Sequence, residues 1–251
     1  QAAKPLVWID RGKEAVTNMS KLADQSTALA QRHGGNRIVL FEHARTLSAL
    51  SSAMSWYYEV GSPDFVASLA PSDQAISQLQ SLGKTYPDWL DIKRSIIAAY
   101  FTRALIYVDL EDWPKAAADL EQARAIVDPL IAKDPDDRGM IRRLHTILRQ
   151  LSSVLLELGR YDEAITMARE VLADRAALLA REPENAGYYR DKSSALLALA
   201  DAVTASGNKA EGCKLYRQAR EDWRIIERRW GVDPLLREND IASIEEALRN
   251  C

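Results

Sequence analysis

Only two cysteines, Cys213 and Cys251, occur in the 251 residues. They are too few for a disulfide framework and, with no histidine at ligand spacing, too few for a zinc site. They leave the compartment open. Glycine (11) and proline (9) are sparse, and alternating runs of Val, Ile and Thr are hard to find, which excludes a β-rich fold. The longest apolar run, residues 96–108, carries Arg103 and is too short to span a bilayer, so a soluble segment is expected, cytoplasmic or periplasmic. No charged n-region, apolar h-region or cleavage site opens the chain. Its abrupt start at Gln1 is what a mature product or a piece excised from a longer protein would show.

A strong charge of one sign is also missing: 33 basic residues face 36 acidic ones, a formal net charge of -3. That pattern gives no electrostatic footprint for nucleic acid. The densest basic stretch, 217–229, is interrupted by Glu221, Asp222 and Glu227 and reads as a solvated helix face. His33, His43 and His145 are scattered, none with a partner at metal spacing, and His33 beside Gly34 and Gly35 suits a helix C-terminus. Asp134-Pro135-Asp136-Asp137 lacks the alternating ligands, central Gly and closing Glu of a calcium loop. It reads as a proline turn followed by a helix N-cap. No phosphate-cradling glycine loop and no GxSxG elbow appears. No metal, no cofactor and no catalytic residue is expected.

What the chain has is alanine, leucine and a repeating pattern. In LGRYDEAITMAREVLADRAALLAREPEN (158–185), Ile165, Ala168, Leu172, Ala176 and Leu179 recur at steps of three or four, one side of an α-helix. Gly159 stands where a preceding helix would end, and Pro183 and Asn185 where this one should stop. A first helix over about 138–158 carries Leu144, Leu148, Leu151, Leu155 and Leu158 along one seam. The short link at 159–161 can only reverse the chain. The pair is therefore a helical hairpin, and it recurs. Pro87, Pro135 and Pro183 are 48 residues apart, with Gly231 at the next step; the same spacing joins Trp113 to Tyr161, Ala116 to Ala164, and Gly159 to Gly207. DLEDWPKA (109–116), ELGRYDEA (157–164) and ASGNKAEG (205–212) are three versions of one connection. A fixed period of this size signals stacked repeats.

On these residues the chain resembles the tetratricopeptide-repeat family: LGRYDEAI looks like its intra-repeat turn, EPEN like its closing proline turn. The resemblance implies that Ala164 opens the second helix at a close helix approach, that Tyr161 wedges near the turn, and that Ser152 and Ala200 are the small residues of the first helices. The family's repeat is about 34 residues. The excess of about 14 is about seven residues, or two turns, per helix, which keeps the apolar stripe in phase. The expected fold is all-α, a right-handed α-solenoid of antiparallel hairpins over 1–251 as one helical-repeat domain. Divergent units occupy 1–87, the clearest repeats 88–135, 136–183 and 184–231, and a capping helix 232–251. Within the first part, 11–37 reads as a second helix followed by a turn. Residues 61–75 read as a loop or short extra helix, with Asp64 and Ser72 as candidate caps.

A stacked array offers an extended groove for a protein or peptide partner, and the resemblance places first-helix side chains in it. Counted from Gly159 these are Thr146, Arg149, Gln150, Ser153, Leu156 and Glu157. One unit later they are Ser194, Leu197, Asp201 and Thr204, and one unit earlier Phe101, Thr102, Leu105 and Asp109. The Lys and Asn, four apart, with which some family members grip a C-terminal carboxylate are absent. The matching pairs are Arg149 with Ser153, Leu197 with Asp201 and Phe101 with Leu105. Long repeats with such turns also resemble helical modules attached to bacterial signalling proteins, which implies a scaffold or sensor module of a larger protein. A small-molecule-sensing domain, an enzyme with an unrecognised site and a homodimer stay open as alternatives.

Overall fold

The computed structural model describes residues 6–232 and 241–251 and falls into two compact units, Gln1–Asp137 and Arg138–Cys251. Helices alone build both, and no strand occurs among the described residues. Unit 1 contains α1 (Leu6–Arg32), α2 (Arg37–Tyr57), α3 (Pro63–Val66), α4 (Leu69–Thr85), α5 (Leu90–Asp109) and α6 (Trp113–Lys133). Unit 2 contains α7 (Arg138–Glu157), α8 (Tyr161–Arg181), α9 (Ala186–Ala205), α10 (Lys209–Arg229) and α11 (Ala242–Arg249). Within each unit helices pack mainly on their neighbours in sequence, as hairpins do.

The 48-residue period is written in the backbone. At three equivalent turns the chain takes a left-handed step, at Glu111 (φ 57°), Gly159 (φ 70°) and Gly207 (φ 98°). The next amide closes the same five-residue bond each time: Asp112 N to Tyr107 O (2.8 Å), Arg160 N to Leu155 O (2.9 Å) and Asn208 N to Val203 O (3.1 Å). This is the Schellman closure, which satisfies carbonyls left over at a helix C-terminus. Asp112 and Asn208 then cap the following helices through Lys115 N and Glu211 N. The proline turns repeat as well, with the amides of Tyr86, Asp134, Glu182 and Trp230 each bonding the carbonyl four residues back.

Close approach follows at the start of each second helix. Ala116 and Ala164 are fully buried, and Ser152 Oγ donates to Ala164 O at 3.1 Å across the α7–α8 contact. One period later Gly212 leaves so little room that an added Cβ would lie 3.2 Å from Ala200 O and would collide with Thr204 Oγ1. Tyr161, expected as a wedge, instead stays 38% exposed, because Ala164 and Ser152 already close the gap. The buried line of α8 runs through Ala164, Ala168 and Val171, while Ala176 is exposed.

The first part of the chain departs from the period. Asn36 accepts from the amides of Ile38 and Val39 to start α2, which pairs with α1. The expected caps at Asp64 and Ser72 are not used. Ser62 caps α3, accepting from Phe65 N at 3.2 Å, and Ser72 lies buried inside α4. Pro63 sits in the first turn of α3, where a missing N–H costs nothing; Asp64 follows it inside that turn. Part of the C-terminal helix expected after Pro234 falls on residues outside those described. Within them, α11 covers α10, with Ile241 and Ile244 buried against Tyr216, Trp223 and Ile226.

Candidate functional site

Three helices of unit 2 each turn one stripe towards a common cleft of about 620 Å³. From α7 come Arg138, Arg142, His145 and Arg149, at steps of four, three and four, with Ile141, Thr146 and Ser152 beside them. From α8 come Ala168, Val171, Arg175 and Leu178, and from α9 Tyr188, Arg190, Asp191, Ser194, Ala195 and Ala198. Steps of three and four keep a residue on one helix face. Ser152, Ala168, Val171 and Ala195 are buried; their small or compact side chains leave the space that the longer ones surround.

The charge of this cleft is one-sided: five arginines line it against one carboxylate, Asp191. Asp191 is already engaged, 3.1 Å from Arg175, whose side chain is only 12% exposed. Arg138, Arg142, Arg149 and Arg190 take part in no ion pair among the described residues. His145, 6% exposed, places Nε2 2.9 Å from Asp174 Oδ2, while its buried Nδ1 has no hydrogen-bond partner. Burial first, and Arg175 second, push this imidazole below its usual 6.5, against the opposing pull of Asp174 and Asp191. The shift favours the neutral imidazole. With guanidinium groups free around a compact floor, the cleft is suited to carboxylates or phosphates, which arginine binds in bidentate fashion.

Of the residues expected in a groove, Thr146, Arg149 and Ser194 meet here. Gln150 (half-buried), Ser153 and Glu157 (both exposed) lie outside the lining, further along α7. Leu156 and Thr204 are half-buried and also outside it. Leu197 packs against the apolar cluster of Tyr216 and Trp223, and Asp201 accepts a 2.7 Å hydrogen bond from Tyr216 Oη. Burial, then that bond, pushes Tyr216 up to about 12. Phe101, Thr102 and Leu105 are half-buried and Asp109 exposed on α5 of unit 1. Sequence reasoning missed Arg138, Arg142, His145, Arg175, Tyr188 and Arg190. The stripe 138, 142, 145, 149 in RGMIRRLHTILR was a usable signal for the α7 members.

Unit 1 has a smaller cleft of about 360 Å³ between α1 and α2, lined by Met19, Leu22, Leu29 and Ala49 among others. Its charged residues, Glu42 and Arg45, pair with each other at 3.0 Å. Among the described residues no group of three or more His, Cys, Asp and Glu is placed to hold a metal ion. No helix among them is long and apolar enough to cross a membrane.

Residues 146–183, spanning most of α7, all of α8 and the following proline turn, match the tetratricopeptide repeat family. The α7–α8 hairpin is thus similar to a tetratricopeptide repeat. No curated protein matches the chain. Among solved structures it is similar to BtubC (BKLC) from P. vanneervenii, at 16% identity over 89% of this chain and 94% of that one, with a TM-score of 0.43. It is also similar to a Podosopora anserina putative kinesin light chain with nearly identical TPR-like repeats, at 20% identity over 84% of this chain and 98% of that one, with a TM-score of 0.44. Tetratricopeptide-type repeats are in general protein-interaction scaffolds.

Proposed function

We propose that the chain is a protein-interaction module in which unit 2 holds an acidic segment of a partner in its arginine-lined cleft. The observation that carries this reading is the imbalance of charge: Arg142, Arg149 and Arg190 stand around a compact floor without acidic partners among the described residues, and the one lining carboxylate pairs with Arg175. Keeping like charges together without compensation costs free energy, and an anionic ligand relieves that cost. A peptide with acidic and apolar side chains suits walls that combine arginines with Ile141, Leu178 and Tyr188. The resemblance of the long repeats to helical modules of bacterial signalling proteins supports a role as a scaffold or sensor within a larger signalling protein.

The test is calorimetry of the full chain with a peptide rich in Asp and Glu and with a neutral peptide of equal length. The acidic peptide is expected to bind, and more weakly as salt is raised. Arg142→Ala and Arg149→Ala should each weaken it by about 1 kcal/mol or more, with stability changed by about 0.5 kcal/mol or less. Arg169→Ala, exposed on α8 outside the cleft, serves as the control. Equal affinity for the neutral peptide, or equal losses in all three variants, overturns the reading.

A further inference from the structure

The two cysteines that carry no part of the cleft are joined. Cys213, in the first turns of α10, is bonded to Cys251, two residues beyond the end of α11, with Cα atoms 5.7 Å apart. What this bond holds in place is short: α11 has eight residues, and an isolated helix of that length does not persist in water. It stays helical because it is seated. Ile241 and Ile244 are buried against Trp223 and Ile226, and Glu245 accepts from Arg220 at 3.1 Å. At the far end of this seat the disulfide ties the chain back to α10.

The two sulfurs differ in access. Cys213 is 6% exposed and Cys251 is exposed, so an external thiolate meets Cys251 first. We propose that Cys213–Cys251 is a redox-operated clasp that decides whether α11 stays seated on α10, opened by a dithiol reductant. One thiolate of the reductant attacks the Cys251 sulfur, forms a mixed disulfide and expels the Cys213 thiolate, which takes up a proton. The second thiolate then attacks its own partner's sulfur, releasing Cys251 as a thiol. The protein gains two electrons and two protons, and the dithiol leaves as a cyclic disulfide. The closed form belongs to an oxidising compartment and the open form to a reducing one. Opening removes the restraint between residues 38 apart in sequence and leaves α11 seated by non-covalent contacts, chiefly the packing of Ile241, Ile244, Ala247 and Leu248 and the Arg220–Glu245 ion pair. Trp223 and Ile226 then lose their cover for a growing fraction of the time.

The experiment is hydrogen exchange read by mass spectrometry on the full chain, oxidised, treated with dithiothreitol, and as the Cys251→Ser variant. Reduction should lower the protection of 241–251 at least about tenfold, lower that of the α10 stripe less, and leave α7 and α8 unchanged. Cys251→Ser should resemble the reduced protein with or without dithiothreitol. Two free thiols in the oxidised protein would overturn the proposal, as would unchanged protection of 241–251 on reduction. Loss of protection throughout α7–α10 would overturn it too, since the bond would then stabilise all of unit 2 rather than gate its last helix.

Discussion

In unit 1 Arg103 of α5 reaches Asp119 of α6 through two bonds, 2.7 and 2.6 Å long, and Asp73 of α4 through a third of 2.6 Å. Its guanidinium also faces the rings of Tyr100 and Tyr107. Every charge there is answered, and the arginine's proton is held more tightly than usual, first by the Asp119 bond. In unit 2 the arginines of α7 and α9 that line the cleft have no carboxylate partner among the described residues. The repeat makes the comparison position by position. One period after Arg103 and Asp119 stand Leu151 and Met167, and one period further Leu199 and Leu215. Positions that carry an ion pair in one repeat thus carry apolar side chains in the next two, and Leu199 and Leu215 share one apolar cluster. The lesson is that the hairpin scaffold does not require charge at its core, so arginine is structural where it is paired and available where it is not.

The largest effect should come from breaking the pair. Asp119 is only 4% exposed, and removing one partner of such a pair typically costs about 3–5 kcal/mol. Asp119→Ala should therefore destabilise by about 3 kcal/mol or more in urea unfolding. The double variant Arg103→Leu with Asp119→Met, which imports the unit 2 solution, should recover most of the loss. A double variant no more stable than Asp119→Ala would show that the two repeats do not share a crossing geometry.

Next in size is the close approach at the start of the second helices. Ala164→Leu should cost about 1–3 kcal/mol, because the side chain is fully buried beside Ser152. Gly212→Ala sharpens the point, since one methyl group already meets the Ala200 carbonyl and the Thr204 side chain. It should lower the midpoint of thermal unfolding even though alanine is the better helix former by about 1 kcal/mol. A raised midpoint would place Gly212 outside the contact.

The smallest effect separates the turns. Gly159 and Gly207 take their left-handed step without a side chain, whereas Glu111 takes it with one, at a cost of roughly 1 kcal/mol. Glu111→Gly should stabilise unit 1 by about 0.5–1 kcal/mol in chemical denaturation. No gain would mean that contacts of the Glu111 side chain offset the strain.

The turns and helix boundaries were legible because they are local. A left-handed step, a proline and a capping side chain each act within a few residues, and a period of 48 repeats that chemistry in register. The cleft was only partly legible. Counting back from Gly159 reaches Arg149 and Thr146, but Arg138 and Arg142 lie in the added turns at the start of α7, for which a shorter repeat has no counterpart. His145 beside Asp174, Arg175 beside Asp191 and Cys213 bonded to Cys251 join residues far apart in sequence, and no spacing rule announces them. The hydrogen bond from Tyr216 to Asp201 was hidden for the same reason, since it crosses from one helix of a hairpin to the other.

The packing of each helix on its sequence neighbours also bears on how the chain assembles. A hairpin such as α7–α8 closes over a link of three residues, 158–160, so little chain entropy is lost before contacts form. Topologies rich in local contacts fold faster than those that must first join distant segments. Each unit can therefore form by successive addition of hairpins, with each finished pair serving as a template for the next. An emerging chain could begin this before its last repeats exist.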